Sequence, residues 1–157
     1  MALLGNILWL VLGGWMVFLL YLLGAIIFFP VFIPLFRLAV YAAWPFGRSV
    51  VSKAALDRYR DLTGATYETS GLEDTARAVS GVLNLLWVLT FGWVLALTHL
   101  LCAILNVLTI WMIVTIPNIP AHWKLMKVVF MPFNKVIVPQ TLADEMADRF
   151  ARARLNL

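Results

Sequence analysis

Two long stretches without a charged side chain dominate this sequence. Residues 1–36 and 78–123 contain no Asp, Glu, Lys or Arg. Of the 157 residues, 63% are hydrophobic and 13% are charged, whereas a soluble domain has roughly 25% charged residues. Because small domains bury only about two thirds of their chain surface, so much apolar surface does not fit a water-soluble fold. The sequence therefore predicts an all-α integral membrane protein.

The lengths of these stretches limit the number of membrane segments. A helix needs about 20 residues to cross a hydrocarbon core of about 30 Å. Residues 78–123 have room for two helices and a turn, whereas residues 1–36 hold one helix and part of a second, which Pro30 and Pro34 interrupt. The preferred arrangement has about four membrane-embedded segments, in two helical hairpins. The alternative has two crossings and two re-entrant or interfacial helices.

The charged parts of the chain indicate its orientation and its partners. Residues 37–77 and 124–157 each contain six Lys or Arg residues, and the net charge is +4. Basic segments stay in the cytoplasm, so we expect both charged parts and both termini to be cytoplasmic. Since the positive charge lies at the ends of apolar segments and not on a basic face with aromatic platforms, we expect contact with membrane lipid and no nucleic-acid partner.

The two halves of the chain repeat one another. Short motifs recur after 78 residues near the start of each half and after 87 residues near its end, so the second half carries nine extra residues. The recurring pairs are Asn6–Trp9 with Asn84–Trp87, Gly14-Trp15 with Gly92-Trp93, and Pro45–Arg48 with Pro132–Lys135.

This pattern resembles the YccF family of bacterial inner-membrane proteins, which carries two copies of a short inner-membrane domain. The resemblance covers about residues 3–138. The second copy is the more specific match, through Leu83-Asn84, Trp87, Gly92-Trp93, His99 and Ile116-Pro117. The resemblance implies a multi-pass protein of the bacterial inner membrane, and it implies no biochemical activity. We expect a first repeat in residues 1–51, a cytoplasmic linker in 52–77, a second repeat in 78–138 and a cytoplasmic amphipathic helix in 139–157.

Two asparagines occupy equivalent positions in the repeats. Asn6 shares a helical face with Trp9, and Asn84 shares the counterpart face with Trp87. An amide can bond a neighbouring helix within a membrane, for about 1 kcal/mol. Alternatively, the two amides line a solute path or lie at the water interface.

One histidine lies inside the second uncharged stretch. An ionisable side chain at this depth is a functional hypothesis by default, and His99 is either a neutral hydrogen-bonded group or a group with a proton or pH role. No metal site is expected, because the stretch lacks acidic residues and a second cysteine beside Cys102. We expect His122, at the end of the stretch, to be interfacial. The candidate polar lining is Asn6, Asn84, Thr98 and His99.

Small and basic residues add two further sets of candidates. Small residues allow helices to approach closely, and the candidates for such packing are Gly13, Gly14 and Gly92. Basic residues at the ends of the apolar stretches form a cytoplasmic rim or contact lipid, and the candidates are Arg48, Lys124, Lys127 and Lys135. A basic rim favours anions, while lipid anchoring explains the same charges.

The linker and the C-terminal segment carry most of the acidic residues. We expect Lys53–Arg60 to form a short helix and the acidic residues of 37–77 to be solvated. The C-terminal segment places an apolar face on one side of a helix, formed by Leu142, Met146, Phe150, Ala153 and Leu157. Glu145 with Arg149 and Asp148 with Arg152 are stabilising pairs. The apolar face is expected to dock on the charged segment or on a second subunit in preference to lipid, because the acids repel anionic lipid.

No grouping of catalytic residues stands out, so we expect neither an enzyme nor a cofactor. The first functional hypothesis is an oligomeric channel or transporter-like protein for ions or small solutes. Because four segments give too little wall for a pore, this hypothesis requires a homo-oligomer. The alternative is an accessory or scaffold subunit that binds another membrane protein through its cytoplasmic part.

Overall fold

The computed structural model describes residues 2–64 and 71–155, and for residues 71–76 it describes the backbone alone. The chain forms two compact units. The membrane unit comprises residues 1–46 and 82–133, and the ribbon unit comprises residues 47–81 and 134–157. Most described residues are helical, as the sequence predicts.

The first repeat forms a helical hairpin in the membrane unit. Helix α1 (Ala2–Trp9) continues through a π-helical turn (Leu10–Gly14) into α2 (Trp15–Ile27), and α3 (Phe32–Ala43) returns beside α2. Gly13 has a φ of 147°, a conformation that glycine adopts at low cost, and it interrupts the helical backbone. Pro30 lies at the start of a 3₁₀ turn that ends α2.

The second repeat forms a longer version of the same hairpin. Helix α5 (Gly71–Trp87) continues through a π-helical turn (Val88–Gly92) into α6 (Trp93–Leu108), and α7 (Asn118–Val129) packs against α6. The connection before α7 covers residues 109–117, whereas the equivalent connection of the first repeat covers only 28–31. Most of the nine extra residues therefore lie at the tip of the second hairpin.

Two helical segments of the described chain are long and apolar enough to cross a membrane: Ala2–Ile27, with 26 residues and a break at Gly13, and Arg77–Leu108, with 32 residues. Helices α3 and α7 have 12 residues each, which corresponds to about 18 Å at about 1.5 Å per residue. The described part of the chain thus has two helices of crossing length and two shorter return helices, so the preferred expectation of four crossings is not confirmed.

Large apolar side chains cover the outside of the membrane unit. Val11, Leu89 and Trp111 are 71%, 68% and 76% exposed. The interior is filled instead by the first tryptophan of each repeat and by leucines, among them Trp9, Trp87, Leu35, Leu95 and Leu125. An apolar outside of this extent is expected for helices that face lipid.

A two-stranded ribbon, which the sequence analysis missed, forms the centre of the ribbon unit. Strand β1 (Arg48–Ser52) pairs antiparallel with β2 (Lys135–Pro139), and Val50 lies opposite Ile137. These two residues are equivalent in the repeats, because they are 87 positions apart. The ribbon therefore has a local twofold axis at this pair.

The backbone at both ends of the ribbon follows the same symmetry. The Lys53 N–H donates to the Asn134 carbonyl over 3.1 Å, and the Gln140 N–H donates to the Gly47 carbonyl over 3.0 Å. Gly47 and Asn134 both have a positive φ, at 80° and 62°. Each strand is therefore entered through a left-handed residue, which explains the glycine or asparagine of the repeat motif.

A helix follows each strand. The short helix expected at Lys53–Arg60 is confirmed as α4 (Lys53–Leu62), and its start is capped by the Ser52 hydroxyl, which accepts from the Ala55 N–H over 3.1 Å. The amphipathic C-terminal helix is confirmed as α8 (Gln140–Leu155). The two expected ion pairs of α8 are present at 3.0 Å each.

The apolar face of α8 docks within the ribbon unit. Met146 is buried, and α8 contacts α4 and both strands. The Tyr59 hydroxyl donates to Glu145 over 2.9 Å, and the Arg58 guanidinium lies 5.3 Å from the centre of the Phe150 ring. Of the two expected alternatives, docking on the charged segment or on a second subunit, the structure shows the first. Leu157 lies outside the described residues.

One acidic residue of the linker contradicts the expectation of solvated acids. Asp57 is buried, and its carboxylate lies 3.5 Å from Arg60 and 3.4 Å from Arg77. Asp61 is exposed, as expected. Residue Glu68 and the side chains of Glu73 and Asp74 lie outside the described part of the chain.

Candidate functional site

The repeated asparagines connect the start of each hairpin to its end through hydrogen bonds. The Asn6 Nδ2 donates to the Phe46 carbonyl over 3.1 Å, and the Phe46 N–H donates to the Asn6 Oδ1 over 2.9 Å. Asn84 and Phe133 form the same two bonds, at 3.5 and 3.1 Å. Each amide therefore bonds the turn peptide that follows α3 or α7, and not a neighbouring helix as the sequence interpretation expected.

The repeated tryptophans form a second pair of equivalent bonds. The Trp9 indole donates to the Ala42 carbonyl over 2.8 Å, and the Trp87 indole donates to the Val129 carbonyl over 2.7 Å. Each repeat thus has an asparagine bond and a tryptophan bond, which together we call the hairpin lock.

The three glycines expected to pack between helices do not share one role in the structure. Gly14 and Gly92 lie against the indoles of Trp9 and Trp87, on their own helices, so they make room for the hairpin lock. Gly13 has open space around it and serves as the backbone break instead of a packing contact. The close glycine contact between the repeats is at Gly24, beside the Phe91 and Trp87 rings, and the sequence analysis missed it.

The four expected lining residues have separate partners. Asn6 and Asn84 are used in the hairpin locks, and the Thr98 hydroxyl donates to the Val94 carbonyl of its own helix over 2.7 Å. The His99 ring bonds the ring of His122. A shared pore lining by these four residues stays a prediction.

Two buried histidines meet inside the membrane unit. The Nδ1 atoms of His99 and His122 lie 3.0 Å apart, so one ring donates and the other accepts. The Trp9 ring meets His122 edge-on, with 4.8 Å between the ring centres, and Tyr21 lies 6.1 Å from His99. The expectation of an interfacial His122 is wrong, because this side chain is only 4% exposed.

A helical pattern could have found the second histidine. The buried positions of α7 fall three or four residues apart on one face, and that face includes His122. The neighbouring Trp123 lies off this face and is 71% exposed. The interfacial expectation relied on that tryptophan and on Lys124, which have no bearing on the orientation of His122.

A half-open cavity of about 440 Å³ lies between the repeats of the membrane unit, and some of its lining residues, such as Leu105 and Met112, are exposed. The first repeat contributes residues near the break in its long helix, namely Trp9, Leu12, Gly13 and Met16. The second repeat contributes residues of α6, of the hairpin tip and of α7, namely Cys102, Leu105, Asn106, Thr109, Met112, Thr115, Asn118 and His122.

The second repeat gives the cavity a polar wall that is held in place by hydrogen bonds. The Asn118 Nδ2 donates to the Asn106 Oδ1 over 3.2 Å, and the Asn106 Nδ2 donates to the Cys102 carbonyl over 2.7 Å. The Thr115 hydroxyl donates to the Thr109 carbonyl over 3.0 Å. The Asn118 Oδ1 is buried and has no hydrogen-bond partner within residues 2–64 and 77–155.

Sequence reasoning missed Asn106, Thr115 and Asn118. They lie in and beside the extra residues of the second half, where the first half offers no counterpart for comparison. Their only signal was the presence of asparagine and threonine in an otherwise apolar stretch.

The four expected rim residues lie in both units. In the membrane unit, the Lys124 ammonium donates to the Pro45 carbonyl over 3.1 Å, and Lys127 is exposed. In the ribbon unit, Arg48 and Lys135 are the first residues of the two strands. Their role as a rim or as lipid contacts stays a prediction.

Comparison with known proteins agrees with the repeat. The YccF family model, described as an inner membrane component domain, matches residues 4–48 and 82–135. No curated protein and no solved structure matches the chain. The two matched segments contain both hairpin locks and end at equivalent strand residues, Arg48 and Lys135. These matches cover more than half of the chain, and the chain therefore belongs to the YccF family of inner-membrane component domains.

Proposed function

We propose that this membrane protein is transporter-like and takes up a small solute in the cavity between its repeats. The observation that carries the proposal is a cavity of about 440 Å³ whose walls come from both repeats. Many transporters place their solute site at the interface of two repeats. In this chain, the cavity takes the place of the lining expected from Asn6, Asn84, Thr98 and His99.

Breaks in the helical backbone beside the cavity support this proposal. Gly13 interrupts the long helix of the first repeat and lines the cavity. On the opposite wall, Met112 ends a 3₁₀ turn, and Ile113 follows with a φ of 54°. Discontinuous membrane helices are a common feature of transporter solute sites, because they bring backbone and polar side chains to the solute.

The orientation of the chain is part of the proposal. The bonds from Asn6 to Phe46 and from Asn84 to Phe133 join the start of each hairpin to its end. The strands that directly follow the two hairpins pair with one another. These bonds and this pairing support the proposal that both hairpins begin and end on one side of the bacterial inner membrane, and the basic segments favour the cytoplasmic side.

Reporters fused after Val51 and after Leu157 test this orientation. Both reporters are expected to be active only in the cytoplasm. Reporters on opposite sides of the membrane would overturn the paired-hairpin arrangement.

Transport itself is tested by flux into liposomes that contain the full-length protein. Stopped-flow light scattering with urea, glycerol and xylitol measures the entry of uncharged solutes, and electrodes measure potassium and chloride. We expect entry of at least one uncharged solute above the rate in empty liposomes. Absence of flux for all five solutes would reject transport of ions and small hydrophilic solutes by this protein.

Variants show whether flux depends on the cavity. Met16→Trp places a large ring at the cavity wall, so the flux is expected to fall several-fold. Met131→Trp is the matched control, because Met131 is 57% exposed and lies outside the cavity lining. Asn84→Ala and His99→Ala test the lining that was expected from the sequence.

A scaffold function is the second candidate, and the ribbon favours it. In the described part of the chain, β1 and β2 have no third strand beside them. An open strand edge can accept a strand of another protein. Purification in mild detergent separates the candidates, since a reproducible larger partner supports the scaffold and a homo-oligomer alone supports the transporter-like protein.

A further inference from the structure

We infer that the cavity between the repeats binds an uncharged small molecule that has an apolar body and a hydrogen-bond donor. This inference deepens the proposed solute site and rests on it. The volume of about 440 Å³ falls within the range of small-molecule sites, which is roughly 300–1,000 Å³.

The absence of Asp, Glu, Lys and Arg from the lining favours an uncharged ligand over an ion. None of the described lining residues is Asp, Glu, Lys or Arg. An ion that enters such a site loses its hydration, and no opposite charge replaces that hydration. An uncharged molecule avoids this cost.

The first repeat offers an apolar surface for the body of the ligand. Trp9, Leu12 and Met16 form this side of the cavity. Leu12 and Met16 expose nearly half of their surface, and methionine adapts its shape to irregular apolar groups. The ligand body is therefore apolar.

The second repeat offers a fixed acceptor for a donor of the ligand. The Asn118 side chain is 2% exposed, lines the cavity and leaves its Oδ1 without a partner in the described chain. Because the Nδ2 of the same amide bonds Asn106, and Asn106 in turn bonds the Cys102 carbonyl, the amide is held in one orientation. A buried acceptor without a partner is unfavourable, so a ligand O–H or N–H that bonds it is favoured.

Two matched probes test the requirement for a donor. 2-Naphthol has a bicyclic apolar body and one hydroxyl, and 2-methoxynaphthalene has the same body without the donor. Binding of radiolabelled 2-naphthol to the full-length protein in detergent is measured by equilibrium dialysis against protein-free micelles. We expect saturable binding of 2-naphthol and a Kd about tenfold higher for the methyl ether, measured by competition.

A variant pair locates the acceptor. Asn118→Leu keeps the side-chain size and removes the acceptor, so the preference for 2-naphthol over the ether is expected to disappear. Thr90→Val is the control, because the Thr90 hydroxyl donates to the Leu86 carbonyl of its own helical segment over 2.7 Å and lies outside the cavity lining, so this variant is expected to retain the preference.

The single cysteine reports where the probe lies. Cys102 lines the cavity, so bound 2-naphthol is expected to slow its reaction with N-ethylmaleimide several-fold. In the single-cysteine control Cys102→Ala/Ser49→Cys, the reporter is in the ribbon unit and its reaction is expected to be unchanged.

The inference is overturned if 2-naphthol shows no saturable binding, if the ether binds equally well, or if Asn118→Leu retains the preference. If Asn118→Leu does not fold, the Kd values of 2-naphthol and its methyl ether for the wild-type protein are sufficient to test the inference. Donor-selective binding without any flux would support this site and reject transport. Flux without donor-selective binding would support transport and reject this site.

Discussion

Asn6 and Phe46 bond one another in both directions across 40 residues of chain, with the Asn6 amide donating to the Phe46 carbonyl and accepting from its N–H. Asn84 and Phe133 form the equivalent pair in the second repeat. A single amide thus satisfies both polar groups of the peptide at which each hairpin ends. This arrangement makes the asparagine motif a structural requirement of the fold.

Removal of the first amide is expected to destabilise the protein more than removal of the second. Asn6→Ala leaves the N–H and the carbonyl of Phe46 without this partner, at a cost of about 1–3 kcal/mol. Asn84→Ala is expected to cost less, because its bonds are longer, at 3.5 and 3.1 Å. Unfolding in mixed micelles, followed by tryptophan fluorescence, measures both values.

Thr98→Val serves as the control for these variants, because its hydroxyl bonds only within its own helix among the contacts described. A loss no larger than that of Thr98→Val in both asparagine variants would contradict the importance of the hairpin lock.

Replacing individual glycines by alanine should distinguish the positions that contact an indole from a position that does not. A Cβ at Gly14 would overlap the Trp9 indole, so Gly14→Ala is expected to cost about 1–3 kcal/mol. Gly92→Ala is expected to cost less, since its Cβ would lie 3.2 Å from the Trp87 ring. A Cβ at Gly81 would meet no described side chain or other element within 4 Å, so Gly81→Ala is expected to stabilise helix α5 by up to about 1 kcal/mol.

The free energies of unfolding of these three variants measure whether the loss of stability is largest at Gly14, smaller at Gly92 and absent at Gly81. Equal losses at Gly14 and Gly81 would show that helix propensity, and not contact with the indole, controls these positions.

The paired histidines are expected to be energetically coupled. His99→Leu or His122→Leu alone leaves the other Nδ1 without its 3.0 Å partner, whereas the double variant leaves neither. A double-mutant cycle is therefore expected to give a coupling free energy of about 0.5–1.5 kcal/mol. His99→Leu combined with Tyr59→Phe is the additive control, and additivity in the histidine cycle would refute the bond.

The docking of α8 on α4 should depend on pH through Tyr59 and Glu145. The hydrogen bond from Tyr59, together with that from Arg149, lowers the pKa of Glu145. The same bond to Glu145 raises the pKa of Tyr59. The Glu145 contribution to stability is therefore present above its unfolded pKa of about 4.3 and is lost as the pH falls through its lowered pKa. The Tyr59 contribution is present below its unfolded pKa of about 10 and is lost as the pH rises through its raised pKa.

Tyrosinate absorbance tests the second of these changes. The difference between wild type and Tyr59→Phe isolates the titration of Tyr59, and Glu145→Gln is expected to move its midpoint towards the ordinary value. An unchanged midpoint in Glu145→Gln would contradict the bond between the two side chains.

The repeat motifs were sufficient to predict the equivalence of Asn6 and Asn84 but not their partners. Those partners are backbone groups 40 and 49 residues away, and any residue type supplies such groups. The pattern of apolar residues likewise predicted the long helices, because the helices depend on local composition. It did not predict the shortness of α3 and α7, which depends on where the chain turns.

The ribbon and the cavity escaped prediction for different reasons. Strands of five residues are short, and Val50 with Val51 gives only a weak signal that could equally belong to a helix end. The pairing joins residues 87 positions apart, such as Val50 and Ile137, and local sequence patterns carry no information over that separation. The cavity involves Asn118 and the hairpin tip, where the repeat comparison has no counterpart and only three-dimensional proximity to Trp9 reveals a site.

The pairing of Val50 with Ile137 bears on the ancestry of the chain. Each strand comes from one repeat and pairs with the equivalent strand of the other repeat. Their register is the one that two identical chains would adopt if they paired with one another. The ribbon therefore has the geometry of a strand pair between two identical chains, formed here within one chain. A symmetric ribbon is expected if one repeat arose by duplication of the other, and duplicated repeats can differ elsewhere, as these two do in the length of the hairpin tip.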